Sequence, residues 1–410
     1  MALTTWVHVP EGSAFGVHSL PYGVFSHGDE DPRIGVAIGS YVLDLAPLAA
    51  SEWADFASVF TAPTLNPFLG LGRQAWHAVR QWITERLTDE SYRALVEPEL
   101  LPLDQVRLHM PFEVADYVDF YASEHHAANL GRLFRPDEPP LPPNWKHLPV
   151  GYHGRAGTVS VSGTPLVRPC GQRKAPDDAA PTFGPSARLD YEVEVGFVVG
   201  TPTRLGQRVS VDQVRDHVFG VVLVNDWSAR DLQVWETRPL GPFLGKSFLT
   251  SISPWVVPLE ALEAAMIDPP AQDPRPLPYL AGKDNFGLDV DLEVRLNGQV
   301  IARPRYSEMY WTPAQMLAHL TVNGAALRTG DLFASGTVSG PEPAAYGSLI
   351  ELTSAGAEPL TLADGTTRAF LHDGDQVTIS ATAPGPDGTR IGLGEVTGTV
   401  CPCLPASPPT

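Results

Sequence analysis

Proline and glycine punctuate this chain at short intervals from end to end, 41 and 37 of them in 410 residues. Proline removes a backbone donor and interrupts helices, and glycine marks turns, so long helices have little room. The apolar runs left between the breaks are short and β-branched or alternating. Residues 191–199, 219–224, 288–296, 349–352 and 376–381 read as strands, with Asn297-Gly298 and Asp373-Gly374 as turns between them. The pattern predicts a mainly β protein, a large β-roll or sandwich crossed by a few helices.

Nearer the start, residues 34–38 and 41–45 flank Gly39-Ser40 as a hairpin would. Trp76, Val79, Ile83 and Leu87 recur at three- and four-residue spacing, which predicts a core-facing helix over 72–87. A boundary near Met110-Pro111 divides the chain into 1–111 and 112–410, in keeping with a length that suggests two domains. The proline-rich stretches 136–149 and 269–278 read as ordered surface loops anchored by Trp145 and Tyr279, and the tail 406–410 is expected to fray.

A formal charge of −19 argues against a nucleic-acid partner, because backbone binding needs a basic face. The same charge repels a small anion unless metal ions or a few Arg and Lys reverse the field locally. No apolar run approaches the roughly 18 residues of a membrane span, and the first residues lack a signal-peptide pattern. The expectation is a cytoplasmic protein with no membrane partner. Cys170, Cys401 and Cys403 match neither a disulfide framework nor a zinc site, and read as thiols in a reducing compartment.

Asp190, Glu192 and Glu194 alternate with Tyr191, Val193 and Val195. A period of two puts the three carboxylates on one strand face. A half-buried strand with a solvated acidic face gives the same pattern, but like charges two residues apart repel, and a divalent cation makes such a row favourable. Asp226 ends the apolar run 219–225, and Asp119 stands in Tyr117-Val-Asp-Phe-Tyr121. A carboxylate there needs a partner, or serves as a turn or capping residue. With Glu192 and Glu194 these two form an all-oxygen set, which suits Ca2+, Mg2+ or Mn2+ rather than zinc.

His126 follows Ser123, a candidate helix N-cap, so it falls in the first turn, where the helix dipole favours a neutral imidazole able to act as a base. Arg230, Gln233 and Thr237 share one face of a helix after Asp226, with Asp231 pointing away as a surface residue. Lys246 sits among glycine and large apolar residues, where an ion pair with a buried carboxylate is one reading and chemistry the other. The small-residue segment 334–340 offers backbone N–H groups to an anion. Glu351, on an apparent apolar strand, needs a polar partner, and a histidine is one candidate.

Several motifs resemble the fumarylacetoacetase family: Asp119-Phe-Tyr-x-x-x-x-His126, Leu-Pro-Val-Gly-Tyr-His-Gly-Arg155, Asn225-Asp-Trp-Ser-Ala-Arg-Asp231, Pro239-Leu-Gly-Pro-Phe-Leu-Gly-Lys-Ser247 and Ala334-Ser-Gly-Thr-Val-Ser-Gly-Pro-Glu-Pro343. Leu20-Pro-Tyr-Gly-Val-Phe25 and Arg33-Ile-Gly-Val-Ala-Ile38 extend the likeness to the N-terminal part. The resemblance implies a small SH3-like N-terminal barrel, a large C-terminal β-roll and a homodimer. It implies metal-dependent hydrolysis of a diketo acid, 4-fumarylacetoacetate, to fumarate and acetoacetate, the last step of tyrosine and phenylalanine breakdown. By the same carry-over Asp119, Glu192, Glu194 and Asp226 are Ca2+ ligands, and Asp226, Lys246 and Thr250 border an Mg2+ position. A protonated lysine has no lone pair for a metal, so Lys246 is read as an outer neighbour with a catalytic role.

The resemblance further implies that His126, oriented by Glu351, takes a proton from water, while Arg230, Gln233 and Lys246 stabilise the developing charge. Tyr121, Arg135, Tyr152, Gln233, Thr237 and Thr337 match substrate-contacting positions. One departure stands out: the family usually has tyrosine where this chain has Thr237, so one substrate hydrogen bond changes, with Arg238 beside it as a candidate substitute. Acylpyruvate hydrolases and 2-oxo acid decarboxylases are the nearest rivals, and they resemble the C-terminal part alone. A non-catalytic scaffold retaining the fold is the rival of another class, and it predicts loss of His126, Glu351 or Lys246, all of which are present.

Overall fold

A computed structural model describes residues 3–175 and 177–404; the expectation for the tail 406–410 lies outside them. The N-terminal part forms a five-stranded sheet in the order Leu100–Pro102, Tyr41–Asp44, Arg33–Ile38, Tyr22–His27, Val106–Leu108. Ile38 pairs with Tyr41 across the expected hairpin, and Gly39 turns it with a φ of +58°. The helix Arg73–Thr88 joins the apolar cluster of this part, burying Trp76, Val79, Ile83 and Leu87 as their spacing demands.

The larger part is built on a curled sheet whose successive strands are Gly151–His153, Tyr117–Phe120, Leu332–Ala334, Val193–Val199, Val218–Asp226, Thr250–Ile252 and Val159–Val161, with Val257–Pro258 also paired to Val218–Asp226. A second sheet runs Gln299–Ala302, Asp291–Leu296, Gln376–Pro384, Arg390–Cys401, Leu166–Val167. One core joins the two, with Val195 and Leu223 from the first sheet and Ile379 and Val396 from the second. The other face of the first sheet, through Val198, Val222 and Val224, packs against Phe68, Trp76 and Ile34 of the N-terminal part.

The central strands are therefore covered on both sides, and every residue of Val193–Val199 and Val218–Asp226 is buried. The acidic face of residues 190–194 is not a solvated one. No helix among the described residues is long and apolar enough to cross a membrane.

Several sequence expectations need correction, among them residues 288–296, which divide into the strands Gly287–Leu288 and Asp291–Leu296. Residues 349–352 form one helical turn, not a strand. Asp190 accepts the N–H groups of Leu349 and Ile350 at 2.8 and 3.1 Å, satisfying donors that a helix start leaves free. Residues 191–199 are not one strand either: Leu189–Asp190 pairs with Ser228–Ala229, and the long strand begins only at Val193. Finally, Cys170 and Cys403 are joined as a disulfide, while Cys401 remains a thiol. The parallel pairing of Val400 and Cys401 with Leu166 and Val167 carries the chain end alongside Cys170, and spacing along the sequence says nothing about a partner 233 residues away.

Candidate active site

Strand ends set the carboxylates. Asp119 lies in Tyr117–Phe120, paired in register with Ala334; Asp226 ends its strand opposite Thr250, whose hydroxyl is 3.3 Å from Asp226 Oδ1. Glu194 enters from the neighbouring strand, opposite Val224, and Glu192 from the break just before it. Asp119, Glu192, Glu194 and Asp226 each offer one oxygen within 4.8 Å of the others, and all four are buried.

Two buried cations meet this cluster. Arg230 donates from Nε to Asp190 at 2.8 Å and places Nη1 2.8 Å from Glu192 and 3.3 Å from Gln233 Oε1. Lys246 donates to Asp226 at 2.5 Å and also pairs with Glu192. Burial opposes the charge on both cations, but the carboxylates around them outweigh it and hold both protonated. Glu192 shows the reverse balance: burial would raise it, and Lys246 with Arg230 hold it well below the usual carboxylate range.

Lys246 offsets only part of the burden on Asp119 and Glu194. Burial, then the neighbouring carboxylates, push both far upward. Asp119 Oδ1 and both oxygens of Glu194 have no hydrogen-bond partner among the described residues. Unpartnered buried carboxylate oxygens are costly, and five buried carboxylates, Asp190 included, face only two cations. An all-oxygen donor set of this kind fits a hard divalent cation, which would take the orphaned oxygens and neutralise the excess charge.

His126 stands beside the cluster. Ser123 accepts its backbone N–H at 3.2 Å and starts the helix Glu124–Phe134, so the imidazole falls in the first turn. Its Nδ1 lies 2.7 Å from Glu351 Oε2. Glu351 also accepts from Asn129 (2.9 Å), Ser339 (2.9 Å) and Ser348 (2.7 Å). Burial would raise the Glu351 carboxyl, but His126 and the hydrogen bonds around it keep it below its ordinary value. An ionised Glu351 accepts a hydrogen bond from Nδ1–H, which leaves Nε2 as the acceptor. That nitrogen is 3.7 Å from Glu192, beyond hydrogen-bond range.

A cavity of about 670 Å3 opens onto these groups. Asp119, Tyr121, His126, Arg135, Tyr152, Glu192, Arg230, Gln233, Thr237, Lys246 and Thr337 all line it. Glu194 and Glu351 stand behind its wall, while Asp226 and Thr250 face an adjoining cavity of about 160 Å3 shared with Tyr152 and Lys246. Every site residue expected from the sequence is thus in one neighbourhood, though not all reach the same space.

Within the segment 334–340 the N–H groups of Ser335, Val338 and Gly340 are bonded to the Val195, Val193 and Ala345 carbonyls, while Gly336 and Thr337 line the cavity. The side chain that reaches the cavity is that of Thr337, whose buried hydroxyl has no partner among the described residues. Gly336 makes this possible: its φ is +73°, and a Cβ there would lie 2.1 Å from the Phe120 carbonyl oxygen. Thr237 turns its hydroxyl back to the Gln233 carbonyl at 2.6 Å, while Arg238 and Leu240 extend the cavity wall beyond it. Asp231 is not a plain surface residue, since it accepts from Ser186 Oγ (2.6 Å) and Ala187 N (2.8 Å).

Sequence reasoning missed the groups around Glu351 and the second duty of Asp190. Asn129 carried a signal, one turn after His126 on the same helix face. Ser339 and Ser348 carried none, because their link to Glu351 depends on a chain reversal between them.

Strand-end carboxylates beside a histidine–glutamate pair, over one cavity of a mainly β fold, define a class: hydrolase-like sites built for a hard metal ion and a general base. Comparison with known proteins narrows it. A family described as fumarylacetoacetate (FAA) hydrolase C-terminal matches residues 116–401, and one described as fumarylacetoacetase N-terminal matches residues 18–111. The chain is 47% identical to the fumarylacetoacetase of Homo sapiens and 46% to that of Bos taurus, over 98% of this chain and 99% of each relative. A fumarylacetoacetate hydrolase structure from Exiguobacterium antarcticum shares the fold with a TM-score of 0.56 at 19% identity, covering 94% of this chain and all of that one. The chain belongs to the fumarylacetoacetase family.

Proposed function

We propose that this protein hydrolyses the carbon–carbon bond of 4-fumarylacetoacetate, giving fumarate and acetoacetate, the closing step of tyrosine and phenylalanine breakdown. The observation that carries this reading is the meeting of the His126–Glu351 pair and the four-carboxylate cluster at one cavity. Glu351 holds the imidazole with Nε2 free to take a proton from water. The hydroxide adds to the ketone carbon, and Arg230, Gln233 and Lys246 donate to the oxygen that gains charge. The carbon–carbon bond then breaks, its electron pair leaving as an enolate that is protonated to acetoacetate. Tyr121, Arg135, Tyr152 and Thr337 orient the substrate from the cavity wall.

Asp119, Glu192, Glu194 and Asp226 are the proposed Ca2+ ligands, and Asp226, Lys246 and Thr250 border the proposed Mg2+ position, with Lys246 a charged neighbour. When bound, such an ion adds fixed positive charge beside the substrate oxygens. The proposed homodimer has support in the exposed apolar residues Leu240, Phe243 and Leu244 next to the cavity. One observation favours a second reading, a related diketo acid as substrate: the Thr237 hydroxyl is committed to its own helix.

The test is the absorbance decay of fumarylacetoacetate with purified protein, with and without EDTA. Rapid loss that EDTA abolishes and Ca2+ or Mg2+ restores is the expected result. No loss with folded, metal-loaded protein transfers the assignment to another diketo acid and makes Thr237 the first residue to examine.

A further inference from the structure

A second cavity, of about 580 Å3, lies between the helix Arg73–Thr88 and the start of the strand Val218–Asp226. That strand ends at Asp226, so the two cavities stand at opposite ends of it. The inner wall is apolar, with Trp76 and Phe219 packed edge to face at 5.3 Å. Three basic side chains at the rim each have an acid: Arg73 with Asp216 at 3.1 Å, His77 with Glu260 at 2.9 Å, Arg215 with Glu263 at 3.6 Å.

Arg80 is different. Its guanidinium donates to the carbonyls of His18 and Ser19, at 2.5 and 3.0 Å, and has no carboxylate partner among the described residues. Those two bonds use only part of its five donors. Tyr22, 1% exposed, lines the same cavity, and its hydroxyl has no hydrogen-bond partner. A half-buried cation with no carboxylate partner and a buried hydroxyl with no hydrogen-bond partner among the described residues, in one cavity, are both satisfied by an acceptor carrying negative charge.

We infer that this cavity binds a small organic monocarboxylate with an apolar body, its carboxylate held by Tyr22 and Arg80 and its body against Trp76 and Phe219. The volume is in the range of small-ligand sites, roughly 300–1,000 Å3. A cationic ligand meets Arg80 unfavourably. A polyanion meets Asp216, Glu260 and Glu263 at the rim.

The experiment is calorimetric titration of the full chain with phenylacetate, hexanoate and inorganic phosphate. It compares the unaltered protein with Tyr22→Phe, Arg80→Gln and, as a control for the first cavity, His126→Ala. Both carboxylates bind the unaltered protein and His126→Ala equally, and Tyr22→Phe weakens binding about tenfold or more, as loss of one hydrogen bond to a charged group requires. Tyr22→Phe removes only an unpartnered atom, so it decides the matter even if Arg80→Gln fails to fold. Absence of carboxylate binding, binding unchanged in Tyr22→Phe, loss of binding in His126→Ala, or phosphate binding as tightly as the carboxylates each overturns the inference.

Discussion

Replacing Asp190 by asparagine tests whether the site is held together from behind. Asp190 is fully buried and accepts on both oxygens: Leu349 and Tyr191 N–H groups on Oδ1, Arg230 Nε and Ile350 N–H on Oδ2. It therefore ties Arg230, which lines the cavity, to the turn that carries Glu351 behind His126. Asparagine preserves the shape, but whichever way its amide turns, an NH2 group faces donors. Breaking one partner of a buried ion pair costs about 3–5 kcal/mol, and the isosteric change sits near the lower end. A domain with about 5–15 kcal/mol of stability stays folded through that loss. Freed from Asp190, Arg230 no longer points at the reacting oxygen, so kcat falls on the order of 100-fold, with KM changing far less. Denaturant unfolding gives the first quantity and steady-state turnover of the diketo acid the second. A stability loss with kcat intact reduces Asp190 to a structural residue; no loss of stability refutes the reasoning from buried donors altogether.

Three further outcomes are expected. His126→Ala folds and binds metal but loses turnover, read by unfolding midpoint, metal content and rate; normal activity removes His126 as the base. Glu194→Gln removes a buried carboxyl whose ionisation burial already opposes, so its metal-free form unfolds no earlier than the unaltered protein while its EDTA-dependent Tm shift disappears; a retained shift counts against Glu194 as a ligand. Asp375 is held below its ordinary pKa: burial would raise it, but hydrogen bonds from Arg368, Asn297 and the His372 N–H lower it. Its stabilisation is thus present above the unfolded value of about 3.9 and lost as pH falls through the folded one. Arg368→Met should cost about 1–2 kcal/mol at pH 7, because the buried Asp375 carboxylate loses its charged partner but keeps Asn297 and the His372 N–H; a deficit that persists undiminished well below pH 3.9 contradicts that account.

Much of the site was legible because its residue types are unusual where they stand. Asp119 and Asp226 in apolar strands, and Lys246 among glycine and large apolar residues, each demanded a partner before any fold was known. The N-cap of His126 and the shared face of Arg230 and Gln233 follow from helix geometry over seven residues or fewer. Legibility failed where a short apolar run had two solutions. Leu349–Leu352 satisfies a strand or a helical turn equally, and Asp190, far back in the chain, tips it to helix by taking its first N–H groups.

The sequence by itself determined the β class, the hairpin at Gly39, the helix Arg73–Thr88 and the acidic, oxygen-only character of the centre, because propensity, periodicity and capping act between residues close along the chain. Only the tertiary structure decided which further groups meet: Asp190 with Arg230 rather than with Glu192 and Glu194, Ser339 and Ser348 with Glu351, and Cys170 with Cys403 across 233 residues. The acid pairings are set by sheet register and by the burial of both faces of the central strands, where an unmatched charge takes whatever partner the register brings within reach. The disulfide lies nearer the surface and follows from the pairing of Val400 and Cys401 with Leu166 and Val167.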